Sequence, residues 1–168
     1  FMPMFSRVTQ TIGQNGRRGA LMISIEDTHP DVLDFIKSKT EIYPNEIEKA
    51  NISVKISNKT MESYKNNEEI ELYFKSVNET ITKKIKAKDL IKMIALHSWK
   101  YADPGIIYWD HVINNSPSSI FDELKPMGVN PCGEIPMSHG EACLLGHLNL
   151  SNFFFWYFFF KLAIKFQI

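Results

Sequence analysis

The chain has 168 residues, of which 44% are hydrophobic and 23% charged, and this composition is typical of a globular domain and not of a disordered chain. Its 19 basic residues balance its 19 acidic residues, so charge gives no argument for nucleic acid or an anionic membrane surface as a partner. Two cysteines are too few for a disulfide scaffold, and the start lacks a basic segment followed by an apolar one. We therefore expect a cytoplasmic location, whose reducing conditions keep both thiols available for chemistry.

Helices and strands alternate in the first part of the chain. Residues 9–15 are predicted to form a short helix that ends at Gly16, and the apolar run at residues 20–25 is typical of a buried strand. Residues that can cap a helix then precede apolar positions with helical spacing, which predicts a short amphipathic helix over residues 32–39. Residues 51–56 alternate apolar and polar side chains and are predicted to form the next strand.

The second part of the chain continues this alternation after an insertion. Residues 61–84 are rich in Asn, Glu and Lys, and we interpret them as a surface excursion that contains a small hairpin. A helix is predicted from Ala87, and an Asp-Pro-Gly sequence ends it before an apolar strand at residues 106–109. Residues 114–119 are typical of a loop. This order of elements predicts parallel βαβ units and an α/β fold, with functional sites at the carboxyl ends of the strands.

Both ends of the chain depart from the pattern of the rest. The first residue is Phe1, and no translation start or leader accompanies it, so we expect the left end to be cut. Residues 153–160 read FFFWYFFF, a composition that nothing earlier in the chain prepares. A membrane helix needs roughly 20 apolar residues, whereas this run stops at Lys161. We therefore interpret residues 154–168 as an aberrant aromatic-rich tail and not as a membrane anchor.

Asn130, Cys132 and Glu134 place a thiol between a hydrogen-bonding amide and a carboxylate at alternate positions. On a strand or extended loop the three side chains would share one face, where the amide could orient a substrate and the carboxylate could move a proton. The pattern alone is weak, and its plain alternatives are a buried thiol, a turn asparagine and a solvated carboxylate. Cys143, the second cysteine, could equally be a small core residue. The five histidines show no metal-ligand spacing, so no metal site is predicted.

Five segments follow one another in a recognisable order: GRRGALMISI (16–25), HPDVLDFIKSK (29–39), NISVKIS (51–57), DPGIIYWD (103–110) and NPCGEIP with GEACLLGHLNLSNF (130–153). Together they resemble the catalytic subunit of ribonucleotide reductase, most closely its adenosylcobalamin-dependent class. The resemblance implies a ten-stranded α/β barrel of two parallel halves with a finger loop through its centre. The chain would then be an internal fragment of that subunit. Residues 1–153 would form a partial catalytic barrel, roughly the first half-barrel plus the finger loop, and residues 154–168 would lie outside the family pattern.

The resemblance also implies an activity, the reduction of ribonucleotides to 2′-deoxyribonucleotides for DNA precursor synthesis by thiyl radical chemistry. Cys132 would carry the radical that takes hydrogen from the ribose 3′ carbon, Glu134 would accept the 3′ hydroxyl proton, and Asn130 would hold the substrate hydroxyls. Cys143 resembles one of two redox cysteines, whose partner would lie just upstream of Phe1. Because both redox thiols are needed for turnover, the isolated chain is expected to be inactive.

The same resemblance suggests how nucleotides regulate the protein and what else it binds. Arg17, Arg18 and residues 43–50 resemble the two loops that respond to an effector nucleotide, although arginines are more often simply solvated. The expected cofactor is adenosylcobalamin, with a separate radical-generating metal subunit as the alternative. The other expected partners are a ribonucleotide substrate, a thioredoxin or glutaredoxin as dithiol reductant, and the remainder of the reductase chain. The competing interpretation is a catalytically inactive truncated remnant that at most binds nucleotide.

Overall fold

The computed structural model describes residues 1–14 and 16–149, and within them helices alternate with strands along most of the chain. A π-helical turn, Ser38–Ile42, continues the second helix, and two short 3-10 turns follow the fifth. The helices are α1 (Met2–Thr11), α2 (Val32–Lys37), α3 (Asn58–Asn66), α4 (Ala87–Tyr101) and α5 (Trp109–Asn115). The strands are β1 (Gly13–Gln14), β2 (Arg17–Arg18), β3 (Leu21–Glu26), β4 (Ala50–Ile56), β5 (Glu69–Lys75), β6 (Thr80–Lys86), β7 (Gly105–Tyr108), β8 (Gly128–Val129) and β9 (Pro136–Met137).

β3, β4 and β7 form a parallel sheet with β4 in the middle. β3 and β4 pair in register from Leu21 opposite Ala50, and β4 and β7 pair from Ser53 opposite Gly105. Helix α2 lies in the first crossover and α4 in the second, which is the βαβ arrangement that the sequence predicts. Over the described residues the sheet is open, with β3 and β7 at its edges. The predicted α/β fold is therefore confirmed.

The two sides of β4 differ in chemistry because alternate residues of a strand face opposite ways. Ala50, Ile52, Val54 and Ile56 are each at most 1% exposed and belong to the hydrophobic core. Asn51, Ser53 and Lys55 lie on the other side of the strand. Helices α2 and α4 cover the apolar side with the buried residues Val32, Phe35, Ile36, Leu90 and Ile94.

Polar groups join the carboxyl ends of the three strands to the start of α3. The buried carboxylate of Asp27, just after β3, accepts hydrogen bonds from the backbone N–H and the hydroxyl of Ser57 at 2.7 and 2.8 Å. The Ser57 hydroxyl oxygen caps α3 by accepting the N–H of Thr60 at 3.2 Å. Asp110, which follows β7, accepts the N–H of Asn58 at 2.7 Å. These oxygens satisfy N–H groups that the first turn of a helix leaves without partners.

Several element boundaries differ from those that the sequence predicts. The strands at residues 20–25 and 51–56 and the helix from Ala87 are confirmed with shifts of a residue or two. The helix expected over residues 9–15 is wrong, because α1 begins at Met2, with Pro3 in its first turn, and ends at Thr11. The residues after α1 instead form a small hairpin, in which β1 and β2 pair across a turn that contains Gly16 at a φ of 78°.

The loop expected at residues 114–119 is only partly a loop. Trp109, assigned to a strand from its apolar character, is the first residue of α5, and a 3-10 turn occupies Pro117–Ile120. β7 ends at Tyr108, and the carboxylate of Asp110, in the first turn of α5, accepts the N–H of Asn58 at the start of α3.

The segment at residues 61–84 contributes to the core, contrary to the interpretation as a surface excursion. The hairpin of β5 and β6 is present as expected. However, Ile70 and Leu72 are 4% and 0% exposed and belong to the same core as β4. The polar residues that surround them alternate with period two, so one face of the hairpin is solvated while the other packs on α3 and α4.

The interpretation of residues 154–168 as an aberrant tail concerns residues outside those described, and the boundary at residue 153 stays a prediction. Among residues 1–14 and 16–149, no helix combines the length and the apolar character that crossing a membrane requires.

Replacing Leu72 by Ala is expected to lower the free energy of unfolding by about 2–5 kcal/mol, because truncating a fully buried side chain leaves a cavity. Val77→Ala is the matched control, since Val77 lies in the turn of the same hairpin and is 100% exposed. That control is expected to change stability by less than about 0.5 kcal/mol. Urea denaturation followed by circular dichroism measures both, and equally small effects would contradict the packing of the hairpin into the core.

Candidate active site

A short hairpin, here called the finger segment (residues 127–137), carries Cys132. Its strands β8 and β9 pair antiparallel, and the N–H of Asn130 donates to the carbonyl of Ile135 at 3.0 Å. Within the hairpin the N–H of Gly133 donates to the carbonyl of Asn130 at 2.9 Å. Gly133 has a φ of 86°, a conformation that glycine adopts without strain. Residues 130–133 therefore form a tight turn, here called the Cys132 turn.

The side-chain amide of Asn130 links this turn to the second thiol. Asn130 is only 4% exposed, and its Oδ1 accepts the backbone N–H of Ile135 at 3.0 Å. Because a backbone N–H can only donate, this bond fixes which end of the amide is the oxygen. The Nδ2 group then points to Sγ of Cys143, 3.6 Å away. One buried amide therefore organises the turn and contacts a thiol 13 residues further along the chain.

Cys132 and Glu134 are exposed, in contrast to the buried Asn130. Cys132 and Cys143 are both free thiols. The shared extended face of Asn130, Cys132 and Glu134 does not occur, because the Gly133 turn reverses the chain between them. An exposed Cys132 also disagrees with the alternative of an ordinary buried thiol.

The polar side of β4 binds the finger segment. The side-chain amide of Asn51 donates from Nδ2 to the carbonyl oxygen of Pro131 at 2.5 Å, next to Cys132. The ammonium of Lys55 donates to the carbonyl of Met127 at 2.6 Å, at the start of the finger segment. The sequence did not assign a role to either residue. The sequence feature that could have indicated these two residues is the alternation in β4, where polar residues stand between fully buried ones.

Lys55 is half-buried between the finger segment and an aromatic ring. Its Nζ lies 3.9 Å from the centre of the Trp109 ring, a cation–π contact. Loss of water around the ammonium lowers the pKa of Lys55 from its ordinary value of 10.5, and the negative charge of Glu26 partly opposes this shift. The folded state therefore holds the Lys55 proton less tightly than the unfolded state does.

The residues expected to respond to nucleotide lie at the amino end of β4, where Asn51 also binds the Cys132 turn, and not at the carboxyl ends of the strands, where the sequence predicts functional sites. Arg17 is exposed in the hairpin of β1 and β2, and Arg18 pairs with Gly13 in that hairpin. In residues 43–50, here called the 43–50 segment, Tyr43 and its neighbours are exposed, whereas Ile47 is fully buried.

An open surface cleft of about 270 Å³ lies between α1 and this segment. It is polar, and Arg17 does not line it. This cleft could not be predicted from the sequence, because its walls come from two elements that are far apart along the chain. The lining residues are Arg7, Gln10, Thr11, Asn45 and Glu46.

A parallel sheet that holds an exposed thiol on a tight turn, with a second thiol against the side-chain amide of that turn, defines a thiol-bearing α/β domain. Within the part of the chain that the structure describes, no three His, Cys, Asp or Glu side chains are arranged to hold a metal ion. The family model "Ribonucleotide reductase, barrel domain" matches residues 1–167. The chain therefore belongs to the ribonucleotide reductase barrel-domain family.

Curated relatives agree with this assignment. The vitamin B12-dependent ribonucleoside-diphosphate reductase of Thermoplasma acidophilum is 34% identical over 154 residues, which cover 91% of this chain and 20% of that protein. The reductase of the same name from Mycobacterium tuberculosis H37Rv is 28% identical over 90% of this chain and 21% of its own length. A vitamin B12-dependent ribonucleotide reductase of Streptomyces coelicolor is 28% identical, over 82% and 16%. The chain thus spans about a fifth of the length of the relatives that it matches.

In a Cys132→Ser background, where Cys143 is the remaining thiol, Asn130→Asp is expected to slow alkylation of Cys143 by iodoacetamide. The substitution keeps an oxygen for the Ile135 N–H but turns a carboxylate toward Sγ in place of a donor. Repulsion between two charges about 4 Å apart in water is worth about 1 kcal/mol, or about a fivefold slower rate. Asn66→Asp, an exposed change at the end of α3, is the charge-matched control. Equal rates in the two variants would contradict the Asn130–Cys143 contact.

The lowered pKa of Lys55 predicts a pH dependence of stability. Between that pKa and 10.5 the unfolded state binds more protons than the folded state, so the stability contributed by Lys55 rises as pH rises through this window. Lys55→Met removes the titration and serves as the reference. The free energy of unfolding of the original chain, minus that of Lys55→Met, should therefore be larger at about pH 10.5 than at about pH 8. Urea denaturation at both pH values measures this difference in unfolding free energy. A smaller difference at the higher pH would contradict the lowered pKa of Lys55.

Proposed function

We propose that this chain provides the radical-bearing part of a ribonucleotide reductase, which converts a ribonucleoside diphosphate to the 2′-deoxyribonucleotide. The observation that carries the proposal is the exposed Cys132 thiol in a tight turn, bound to the polar side of a parallel sheet. Family membership and relatives named as ribonucleoside-diphosphate reductases support the reaction and the diphosphate substrate. We place the reaction in the cytoplasm, because two exposed free cysteines suit a reducing compartment.

Each reacting side chain has a role that matches its position. A Cys132 thiyl radical takes the hydrogen atom from the ribose 3′ carbon, which forms an S–H bond and leaves a carbon radical. Exposed Glu134, two residues further on, accepts the proton of the 3′ hydroxyl, and the 2′ hydroxyl takes a proton from one of the two reducing thiols and leaves as water. The second reducing thiol supplies the hydrogen gained at the 2′ carbon, and the two thiols, having given two electrons in all, become a disulfide. Glu134 returns its proton to the 3′ oxygen, and Cys132 returns its hydrogen atom to the 3′ carbon.

Cys143 is one of the two reducing thiols in this proposal. Its partner is not among the two cysteines of this chain, so it comes from another part of the reductase. The Cys143 thiol is exposed, which allows a thioredoxin or glutaredoxin to reach the disulfide and reduce it. The Asn130 amide lies against Sγ and keeps this thiol close to the Cys132 turn.

The geometry limits what Asn130 has left for a substrate. Its Oδ1 already accepts the Ile135 N–H, and one N–H of Nδ2 faces Cys143. One lone pair of Oδ1 and the second N–H of Nδ2 remain, so Asn130 would hold a ribose hydroxyl through either hydrogen bond. A neutral amide does not take up the proton of that hydroxyl, so this step is left to Glu134.

Adenosylcobalamin is the radical source that we propose, as the names of the relatives suggest. When bound, this group would supply the radical that oxidises the Cys132 thiol. The chain's own residues fit that requirement, because Sγ of Cys132 is exposed and is reached from outside the turn. Cys132 and Gly133 would face the cofactor. A separate radical-generating metal subunit is the alternative, and dependence of the reaction on added cobalamin distinguishes the two.

The open cleft between α1 and the 43–50 segment is our candidate for the effector nucleotide. Arg7 supplies a permanent positive charge there, which Glu46 partly offsets, and Gln10 and Asn45 supply amides that suit a base. Arg17 and Arg18 form β2 of the neighbouring hairpin, which contacts α1. Arg17, which is exposed, would add positive charge near this site.

The activity is tested in a chimera in which residues 1–149 replace the matching segment of the Thermoplasma reductase. With a ribonucleoside diphosphate, adenosylcobalamin and a dithiol, the chimera is expected to form deoxynucleotide, and Cys132→Ser is expected to abolish the product because an O–H bond is too strong for the radical exchange. Cys143→Ser should allow at most stalled or single-cycle chemistry with thioredoxin, because each reduction needs both reducing thiols. Chromatography of the nucleotides measures the product.

Substrate binding is measured in the same preparations as the control for folding. A Cys132→Ser chimera that binds substrate but forms no product supports the assignment, whereas continued reduction would contradict it. The competing interpretation, a non-catalytic chain that only binds nucleotide, predicts a chimera that binds substrate and forms no product even with Cys132 intact.

A further inference from the structure

We propose that Asn51 is a positioning residue that couples the 43–50 segment to the Cys132 turn, so that a displacement of the segment moves the reactive thiol. This inference rests on the proposed function, in which the segment responds to nucleotide and Cys132 reacts. Asn51 stands between the two in sequence and in space. It is the first residue after the segment, and its side chain binds the residue before Cys132.

The contact with the turn is made to backbone and not to a mobile side chain. Asn51 Nδ2 donates to the Pro131 carbonyl oxygen, which belongs to the peptide group that Pro131 shares with Cys132. A peptide group is planar, so fixing its oxygen also fixes the direction in which the Cys132 backbone leaves it. The ring of Pro131 restricts the backbone on the other side of that carbonyl. The position of the turn relative to the sheet therefore depends on Asn51.

The turn moves as one unit because its internal hydrogen bonds are closed. The N–H of Gly133 binds the Asn130 carbonyl, and the Asn130 side chain binds Ile135. A shift at Pro131 therefore carries Cys132 with it and does not dissipate within the turn. The second contact to β4, from Lys55 to Met127, lies at the start of the finger segment and away from Cys132.

The other end of the coupling is anchored at Ala50. Lys39 Nζ donates to the Ala50 carbonyl at 2.9 Å and forms an ion pair with Asp103 at 2.7 Å. The N–H of Ala50 donates to the carbonyl of Ile47 at 3.3 Å, and both residues are fully buried. The exposed part of the segment is therefore joined to Ala50 through the chain and through the hydrogen bond between Ala50 and Ile47. Asn51 is attached directly to the carbonyl that Lys39 holds.

Packing does not account for an asparagine at position 51. It lies near the start of a strand, where asparagine is disfavoured, and its side chain is exposed beside a fully buried Ala50. What the amide adds at this position is a donor that reaches the Pro131 carbonyl. A hydrophobic or acidic side chain of the same size could not make that bond.

Hydrogen exchange of the full chain, followed by mass spectrometry, measures the coupling directly. Pro44→Gly loosens the exposed part of the 43–50 segment, and it is expected to speed exchange in peptides that cover residues 130–135. Asn51→Ala is expected to speed exchange there by about fivefold, the size expected for one lost hydrogen bond. If Asn51 carries the coupling, adding Pro44→Gly to Asn51→Ala produces no further change, so the two effects are not additive.

Lys55→Met is the matched control for this double-mutant cycle. It also releases the finger segment from β4, but four residues further along the strand, so the response of residues 130–135 to Pro44→Gly should persist in it. Unfolding free energies of all variants confirm that exchange reports local opening. Additive effects of Pro44→Gly and Asn51→Ala, or a response that Lys55→Met removes equally, would overturn the proposal.

Addition of a deoxynucleoside triphosphate separates this inference from the proposed function. We expect the nucleotide to slow exchange in residues 43–50 of both the original chain and Asn51→Ala, and to change exchange in residues 130–135 of the original chain alone. A nucleotide that affects exchange in neither region contradicts the effector role of the segment. The double-mutant cycle of Pro44→Gly and Asn51→Ala still tests the coupling in that case. An equal change at residues 130–135 with and without Asn51 overturns the coupling and leaves the effector role standing.

Discussion

The structure depends on the alternation of β4, whose two sides bind two different parts of the chain. Its apolar residues are fully buried against α2, α4 and the hairpin of β5 and β6, and together they form the core. Its polar residues bind the finger segment through Asn51 and Lys55. Because side chains of a strand alternate strictly, a shift of one residue in the register of β4 would expose the core residues and bury the polar ones together. The same constraint therefore fixes the core and the position of Cys132.

The finger segment is short, and few backbone hydrogen bonds hold it by itself. Strands β8 and β9 have two residues each, and the turn between them is closed by Gly133 and by the Asn130 amide. A hairpin of this length gains little stability on its own, so contacts with β4 determine where it lies. The buried Asn130 amide binds the Ile135 N–H through Oδ1 and contacts the Cys143 thiol through Nδ2, so one side chain connects the turn with the second thiol.

Much of the fold could be predicted from local sequence, and the site could be predicted only in part. The strands at residues 20–25 and 51–56 carry clear patterns, and the family resemblance correctly indicated a ribonucleotide reductase barrel domain. The hairpin at residues 69–86 was misjudged because its solvated face dominates the composition, while Ile70 and Leu72 provide the buried face. The roles of Cys132, Glu134, Asn130 and Cys143 stay predictions.

Contacts between distant segments could not be predicted, because no local rule describes them. Asn51 meets Pro131 across 80 residues and Lys55 meets Met127 across 72, so neither pairing leaves a spacing in the sequence. The reversal at Gly133 was missed for a different reason. Alternate polar residues suggest an extended strand, and only the positive φ of Gly133 and its bond to Asn130 show that the chain turns there.

The central claim is that β4 places the Cys132 turn through the Asn51 side chain. Nuclear Overhauser contacts from the side-chain amide protons of Asn51, in chain labelled with ¹⁵N-asparagine, test it most directly. The account predicts contacts from these protons to Pro131 and to the α proton of Cys132, since the Asn51 amide lies 2.5 Å from the intervening carbonyl oxygen. An Asn51 amide with contacts only to β3, β4 and water would contradict it.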